Sequence, residues 1–348
     1  MFYKKIFLFI LISGIAISCG GEKKSKPEEG SVSQLSAAEE TQLFSRAKNI
    51  FGVLPEKMPG AENDTPELID LGEKLYHETK LSVNNTQSCN TCHDITTKKN
   101  GVDNKKFSPG ALEGTMGVRN TPTVLNAGYH FVQFWDGRAK DLAEQAKGPI
   151  LNPIEMGMKS EKDVEKVLSG IPEYVAMFKK AFPNDKSAIT FDNTVKAIAA
   201  FERTLISKSR YDQWMAGNKI ALSPQEKKGL QTFMDLNCTM CHTGPLFGGN
   251  IYQKMGLIKP YKNQKDMGRF DVTKNEGDKF MFKVPSLRNA AVTEPYFHDG
   301  GAATLEDAIR TMSQINLNLQ QPITDEQVNN IAAFIKALTD VNLEKSMK

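Results

Sequence analysis

The sequence predicts a mainly α-helical protein made of two tandem copies of one domain, interrupted by long irregular loops. Three observations carry this. Apolar residues recur at helical spacing in six separate stretches. The chain matches itself when displaced by 163 residues. The signature Cys-x-x-Cys-His stands at 89–93 and again at 238–242. Bulk properties agree. A chain of 348 residues exceeds what one core usually serves. Apolar content of 40% and charged content of 24% are those of a soluble globular protein. A net charge of +3, with no Lys/Arg block in the body, argues against a nucleic-acid partner or a broad basic docking face.

The N-terminus reads as an export signal over residues 1–19. Lys4 and Lys5 precede an apolar run from Ile6 to Ile17, too short to span a membrane comfortably. Cys19, followed by Gly20 and Gly21, resembles a bacterial lipoprotein processing site, with Ala16 where Leu is usual. A lipid on Cys19 would then anchor an exported, periplasmic protein to a membrane. A plain cleaved signal with an incidental Cys is the alternative. Residues 20–45, rich in Lys, Glu, Ser and Gly at their start, read as a flexible tether.

The body divides near residue 205, into 46–205 and 206–348. In the first part "ELIDLGEKLYHET" has apolar residues at 68, 69, 71, 75 and 76, close to one helix face. "EKDVEKVLSGI", "PEYVAMFKKAF" and "FDNTVKAIAAFERTLIS" continue the period. In the second, "SPQEKKGLQTFMDL" and "TDEQVNNIAAFIKALTD" do the same, with helix starts at Ser223-Pro224 and Thr324-Asp325. Long alternating strands are missing from the pattern. Gly/Pro/Asn-rich loops at 94–130 and 243–300 are long enough to wrap a cofactor.

Four of the five cysteines lie in the repeated signature. Exported cysteines ordinarily form disulfides. Cys-x-x-Cys followed by His is narrower: it is the attachment pattern of c-type haem. Cys89, Cys92, Cys238 and Cys241 would add to haem vinyl groups, and His93 and His242 would ligate the irons. A zinc site lacks an obvious fourth ligand nearby. A redox dithiol needs no His and belongs in a βαβ context. Two covalent haems therefore make each half a cytochrome c-like haem domain.

The self-match is informative where it fails. Residues 121–149 fall on 284–312, with Pro122, Asn126, Ala127, Phe134, Asp136, Gly137, Ala139 and Leu142 meeting identical residues. Trp135 falls on His298, and Pro149 on Met312. Methionine is a common sixth ligand of c-type haem, whereas proline cannot ligate iron. Met312 would close the second haem and leave the first open to a small molecule. Six residues beyond Pro149 stands Glu155. Met312 as simple core on an amphipathic helix is the competing reading.

Over residues 50–342 the chain resembles the bacterial di-haem cytochrome c peroxidases, with the methylamine-utilisation maturation enzyme as a cousin. The stretches that carry the resemblance are "LGEKLYHETKLSVNNTQSCNTCH", "FSPGALEGTMGVRNTPTVLN", "FWDGRAKDLAEQAKGPILNPIEMG", "GRFDVTKNEGDKFMFKVPSLRNAAVTEPYFHDGG" and "TLEDAIRTM". The resemblance implies a hydrogen peroxide reductase fed by a small cytochrome c or a copper protein, in a family that suggests a homodimer. It implies that His93 serves the peroxidatic haem, and His242 with Met312 the electron-transferring one. Glu155 and Gln145 would line the peroxide pocket beside Phe134. Trp135 would conduct electrons between the haems. A calcium ion would be held by Asn120 and by carbonyls at Thr293 and Pro295.

One departure matters. Many members carry a His in the loop after the first signature, and residues 94–129 here contain none. Met116 is the strongest substitute donor in that loop, and His130 a weaker one. The expectation is an open peroxidatic haem that needs no reductive activation. His298 is expected at a haem edge rather than as a ligand. Glu155 as a helix-start carboxylate and Trp135 as packing are the structural alternatives. Two other functions stay open: a di-haem electron carrier without catalysis, and a high-valent oxidase of another substrate.

Overall fold

The structure, a computed structural model, describes residues 1, 2 and 34–346. The body of the signal, Cys19 and the tether up to residue 33 lie outside the described residues. By contact the chain parts at Ser33, and Gln34–Lys348 form one unit.

The described chain is mostly helical. Helix α1 is Ala37–Phe51, started by a capping box between Ser36 and Glu39. It begins inside the stretch expected to be tether, because Leu43, Ala47 and Phe51 recur at intervals of four and make one buried stripe. α2, Pro66–Tyr76, starts at the Thr65 cap with proline in its first turn. α3 is the single turn Cys89–Cys92. α4 is Leu142–Leu151, α5 Glu161–Ser169, α6 Pro172–Ala181 and α7 Phe191–Glu202. The second half holds α8 (Arg210–Met215), α9 (Pro224–Asp235), α10 (Phe270–Thr273), α11 (Leu305–Asn316), α12 (Asp325–Lys336) and α13 (Val341–Ser346). Ser223 and Thr324 make the capping boxes their sequence suggests, with Glu226 and Gln327. Strands β1 (Tyr252–Lys254) and β2 (Met281–Lys283) pair antiparallel, with Tyr252 opposite Lys283.

The duplication is visible atom by atom. α2 crosses α7, and α9 crosses α12, each at a glycine. A Cβ on Gly72 would sit on the Ala197 carbonyl, beside Phe201; one on Gly229 would sit on the Asn330 carbonyl, beside Phe334. Absence of a side chain is what lets each helix pair close. Asn126 and Asn289 both adopt the left-handed conformation, φ 62° and 61°, ahead of short 3-10 turns. Their backbone N–H groups donate to Leu205 and Leu338, which follow α7 and α12. Both amides also reach Ser207 Oγ, at 2.9 and 2.7 Å, so one hydroxyl joins the two copies. Gln133 bridges to Ala139 as Tyr296 does to Ala302.

Each half has its own core. Leu71, Leu75, Tyr76, Ile150, Val164, Tyr174, Phe178, Ile198 and Phe201 form the first. Tyr211, Trp214, Leu230, Phe233, Phe247, Ile331, Phe334 and Leu338 form the second, and α1 joins this one. Each such buried side chain contributes about 1.5–3 kcal/mol. The loop 94–130 is tied to the second half: the Asn100 amide donates to the Val292 carbonyl at 2.7 Å, and that of Asn104 to Glu294 at 2.9 Å.

Candidate active site

The two signatures sit on similar local structures. After α2, Ser88 and Thr91 form a capping box that winds Cys89–Cys92 into one helical turn. His93 N donates to the Cys89 carbonyl at 2.9 Å. Tyr76 Oη, from α2, donates to the His93 carbonyl at 2.6 Å. In the second half Asn237 turns left-handed after α9, and Cys238–Met240 form a 3-10 turn. His242 N donates to Cys238 O at 3.0 Å. None of the four signature cysteines is paired in a disulfide.

Both histidines are half-buried as residues, and loss of water around their rings lowers their proton affinity. His242 Nδ1 lies 2.8 Å from the Phe247 carbonyl. Nδ1–H therefore donates there, and Nε2 keeps the lone pair a metal needs. His93 has a buried Nδ1 without a well-formed hydrogen bond, although the Gly101 and Pro122 carbonyls lie near enough to favour its protonated form.

A large cavity opens over Cys238, Cys241 and His242, with Met312 of α11 in its wall. Phe233, Leu305, Ile309, Ile331 and Ile335 make that wall apolar. Asn120, Thr293 and Pro295, the expected calcium residues, also border it, as do Phe134, Trp135 and His298. Trp135 Nε1 donates to the Asn120 carbonyl at 2.9 Å, and its ring meets His298 edge-on at 6.4 Å. His298 stacks on Phe282 at 4.2 Å. Thus Trp135 stands where the first half's loop meets the second half's cavity.

Around the first signature the structure brings Glu155 close enough to Cys92 for its charge to be felt there. The Glu155 carboxyl lies above the usual range because it is buried; Arg138 and the Asn152 side chain pull it the other way. Arg138 lies over the Phe134 ring, 3.4 Å from its centre, and its guanidinium bonds Asp136 at 2.9 and 3.0 Å. Phe134, at φ 65°, turns toward Gly148 of α4, one helical turn beyond Gln145. The hairpin before the site is pinned by Ala111 N donating to the Glu155 carbonyl at 2.7 Å. Met116 is on that hairpin and is 54% exposed, so its thioether is not inside the site. His130 lies in the other cavity, beside Lys283.

Pro149 lies within α4 where Met312 lies within α11. Proline and glycine near its end make α4 a poor sequence helix, yet the Asp141 cap and burial of Leu142, Ala146 and Ile150 hold it. Sequence reading misses Arg138, Lys283 and the cluster in which Arg119 grips Asp266 at 2.7 and 2.8 Å and Asp136 at 2.6 Å. A lone Lys amid "FMFKVP" is the available signal for a buried cation.

Two Cys pairs, each followed by a histidine, fit two c-type haems, and the apolar chamber with a thioether in its wall fits the one at the second signature. They do not fit zinc: among the described residues no three His, Cys, Asp or Glu gather as a metal site. A family model described as di-haem cytochrome c peroxidase matches residues 66–220. The cytochrome c551 peroxidase of Nitrosomonas europaea is 47% identical, over 79% of this chain and 81% of its own length. The chain belongs to the di-haem cytochrome c peroxidase family. Two c-type haems follow from membership. The cytochrome c551 peroxidase of Pseudomonas aeruginosa is 42% identical, over 85% of this chain and 86% of its own. A crystal structure of a MauG-like protein associated with microbial copper homeostasis superposes with a TM-score of 0.73 at 27% identity, covering 84% of this chain and 95% of that one. The mainly α, duplicated architecture is thus that of the di-haem peroxidases.

Proposed function

We propose that this di-haem peroxidase, an oxidoreductase, reduces hydrogen peroxide to water with electrons from a small redox protein, a cytochrome c or a copper protein. One observation supports the reading: Met312 is in the wall of the second site, Pro149 stands at the matching place of the duplicated scaffold, and the half-buried Glu155 follows it. When bound, the haem of Cys89, Cys92 and His93 supplies the redox chemistry of O–O cleavage, and that of Cys238, Cys241, His242 and Met312 relays electrons.

The residues supply the proton handling. Glu155, as carboxylate, accepts a proton from one peroxide oxygen and returns it to the other, which leaves as water. Two electrons and two protons from outside balance the conversion of one peroxide into two waters. Burial keeps the carboxyl basic enough for this exchange. Arg138 limits how far its proton affinity rises. Gln145 hydrogen-bonds the peroxide, and Phe134 shields the pocket from water. Trp135 lies on the electron route from the second haem to the first.

Calcium, held by Asn120 and the carbonyls of Thr293 and Pro295, belongs to this reading and braces the meeting of the two halves. So do export to the periplasm, a lipid on Cys19 and a homodimer. Among the described residues no helix is long and apolar enough to cross a membrane. The test is the visible spectrum and peroxide turnover of the oxidised holoprotein with a reduced small cytochrome as donor. High-spin ferric bands and rapid turnover are expected without prior reduction. Two low-spin haems inert to peroxide in every redox state would leave an electron carrier instead. Turnover of another substrate in place of the cytochrome would leave an oxidase.

A further inference from the structure

The chamber over Cys238, Cys241 and His242 has a one-sided charge balance. Lys254, Lys283 and Arg288 border it, and none of its described lining residues is acidic. Arg288 is satisfied by Asp212, at 2.6 and 2.7 Å. Lys254 is exposed to water. Lys283 is neither: it is 5% exposed and makes no ion pair among the described residues. The acid that favours its charge, Asp136, is already held by Arg119 and Arg138. Burying an ammonium without a counter-ion is costly.

What Lys283 does meet is His130, Nζ to Nδ1 at 2.7 Å. When Lys283 is an ammonium it only donates, so Nδ1 accepts, and a neutral His130 then carries its proton on Nε2. That Nε2 is buried without a partner. The ammonium donates one N–H to His130, and the pair is left with further N–H groups, His130 Nε2–H among them, that have no acceptor among the described residues. Their placement is built into the fold. Gly249, at φ +74°, gives the imidazole its space, since a Cβ there would lie 2.6 Å from His130 Cδ2. Lys283 N is fixed by the Trp135 carbonyl at 2.8 Å, on a strand paired to Tyr252. Burial lowers Lys283 to about 7, so it keeps a full charge at neutral pH only with an anion beside it.

A haem is an apolar ring bearing two carboxylates, which matches an apolar chamber with one unsatisfied cationic spot. We propose that Lys283 and His130 form the seat for one propionate carboxylate of the haem held at Cys238, Cys241 and His242. This rests on the haem reading of that site. The lysine charge offsets the propionate charge, which would otherwise favour ferric over ferrous iron, so the pair holds the reduction potential of this haem up.

The test uses holoprotein carrying Lys283→Met or Lys283→Arg. Haem is counted first, from the pyridine haemochrome spectrum; fewer than two haems per wild-type chain would sink the haem reading itself. Spectroelectrochemical titration then follows the higher-potential couple. Lys283→Met is expected to shift the oxidised-to-reduced ratio at fixed potential about ten-fold toward oxidised, about 59 mV for one electron. Lys283→Arg should recover most of that. A shift below about two-fold overturns the seat. A potential that follows added acetate concentration also overturns it, since the anion would then come from solution. If the variants do not mature, a crystal structure of the wild-type holoprotein decides. A propionate oxygen within hydrogen-bond distance of Lys283 Nζ is expected there, and its absence refutes the assignment.

Discussion

Replacing Glu155 by Gln isolates proton transfer from packing. The amide has nearly the shape of the carboxyl. The bonds that hold the segment are from backbone, Ala111 N to the Glu155 carbonyl at 2.7 Å and Glu155 N to Asn152 O at 3.0 Å, and they survive the change. What goes is a group that can take and return a proton. Such a group contributes roughly 10²–10⁴ in rate. At about 1.4 kcal/mol per decade that is about 3–5 kcal/mol of barrier. Stopped-flow mixing of the oxidised protein with peroxide should show the fast phase slowed about a thousand-fold, with both haems retained. A second variant checks the electrostatics. Burial already raises the Glu155 carboxyl, and Arg138 opposes that rise. Activity that needs the carboxylate is lost as pH falls through its raised pKa, so Arg138→Met should move this acid limb to higher pH. A wild-type rate in Glu155→Gln would remove Glu155 from the chemistry, whatever the pH profile shows.

Met312→His should keep a sixth donor on the second haem while lowering its potential, because thioether ligation favours the reduced iron; an unchanged redox titration would show that Met312 is only core. Gly72→Ala and Gly229→Ala should each cost about 1–3 kcal/mol, since backbone must move to admit the methyl. Equal melting temperatures for mutant and parent would contradict the helix crossings. Glu202 is buried, with Oε2 unpartnered, and burial raises it to about 8. Its contribution is present below the ordinary 4.5 and lost as pH rises through about 8. Glu202→Gln should flatten that fall in thermal stability, and a curve as steep as the parent's would refute the burial argument.

Much of the fold is legible in the amino-acid pattern. Helices with clean apolar periodicity and cap residues, such as α5, α9 and α12, lie where their sequence puts them. α1 and α4 are not among the helices the periodicity predicts. α4 carries Pro149 and Gly148, and the Asp141 cap with burial against α7 makes it worth forming. The self-match finds Asn126 and Asn289, but not Ser207, which falls outside the matched stretch and binds both.

Covalent chemistry is local in sequence, so Cys-x-x-Cys-His twice named the cofactor, and Pro149 against Met312 is a difference between the copies that the self-match alone displays. Charge compensation is not local. Arg138 beside Glu155, Arg119 between Asp136 and Asp266, and Lys283 against His130 join residues from distant stretches. Side chains of ordinary appearance become special only when the fold takes water from around them, and only the tertiary structure decides which ones those are.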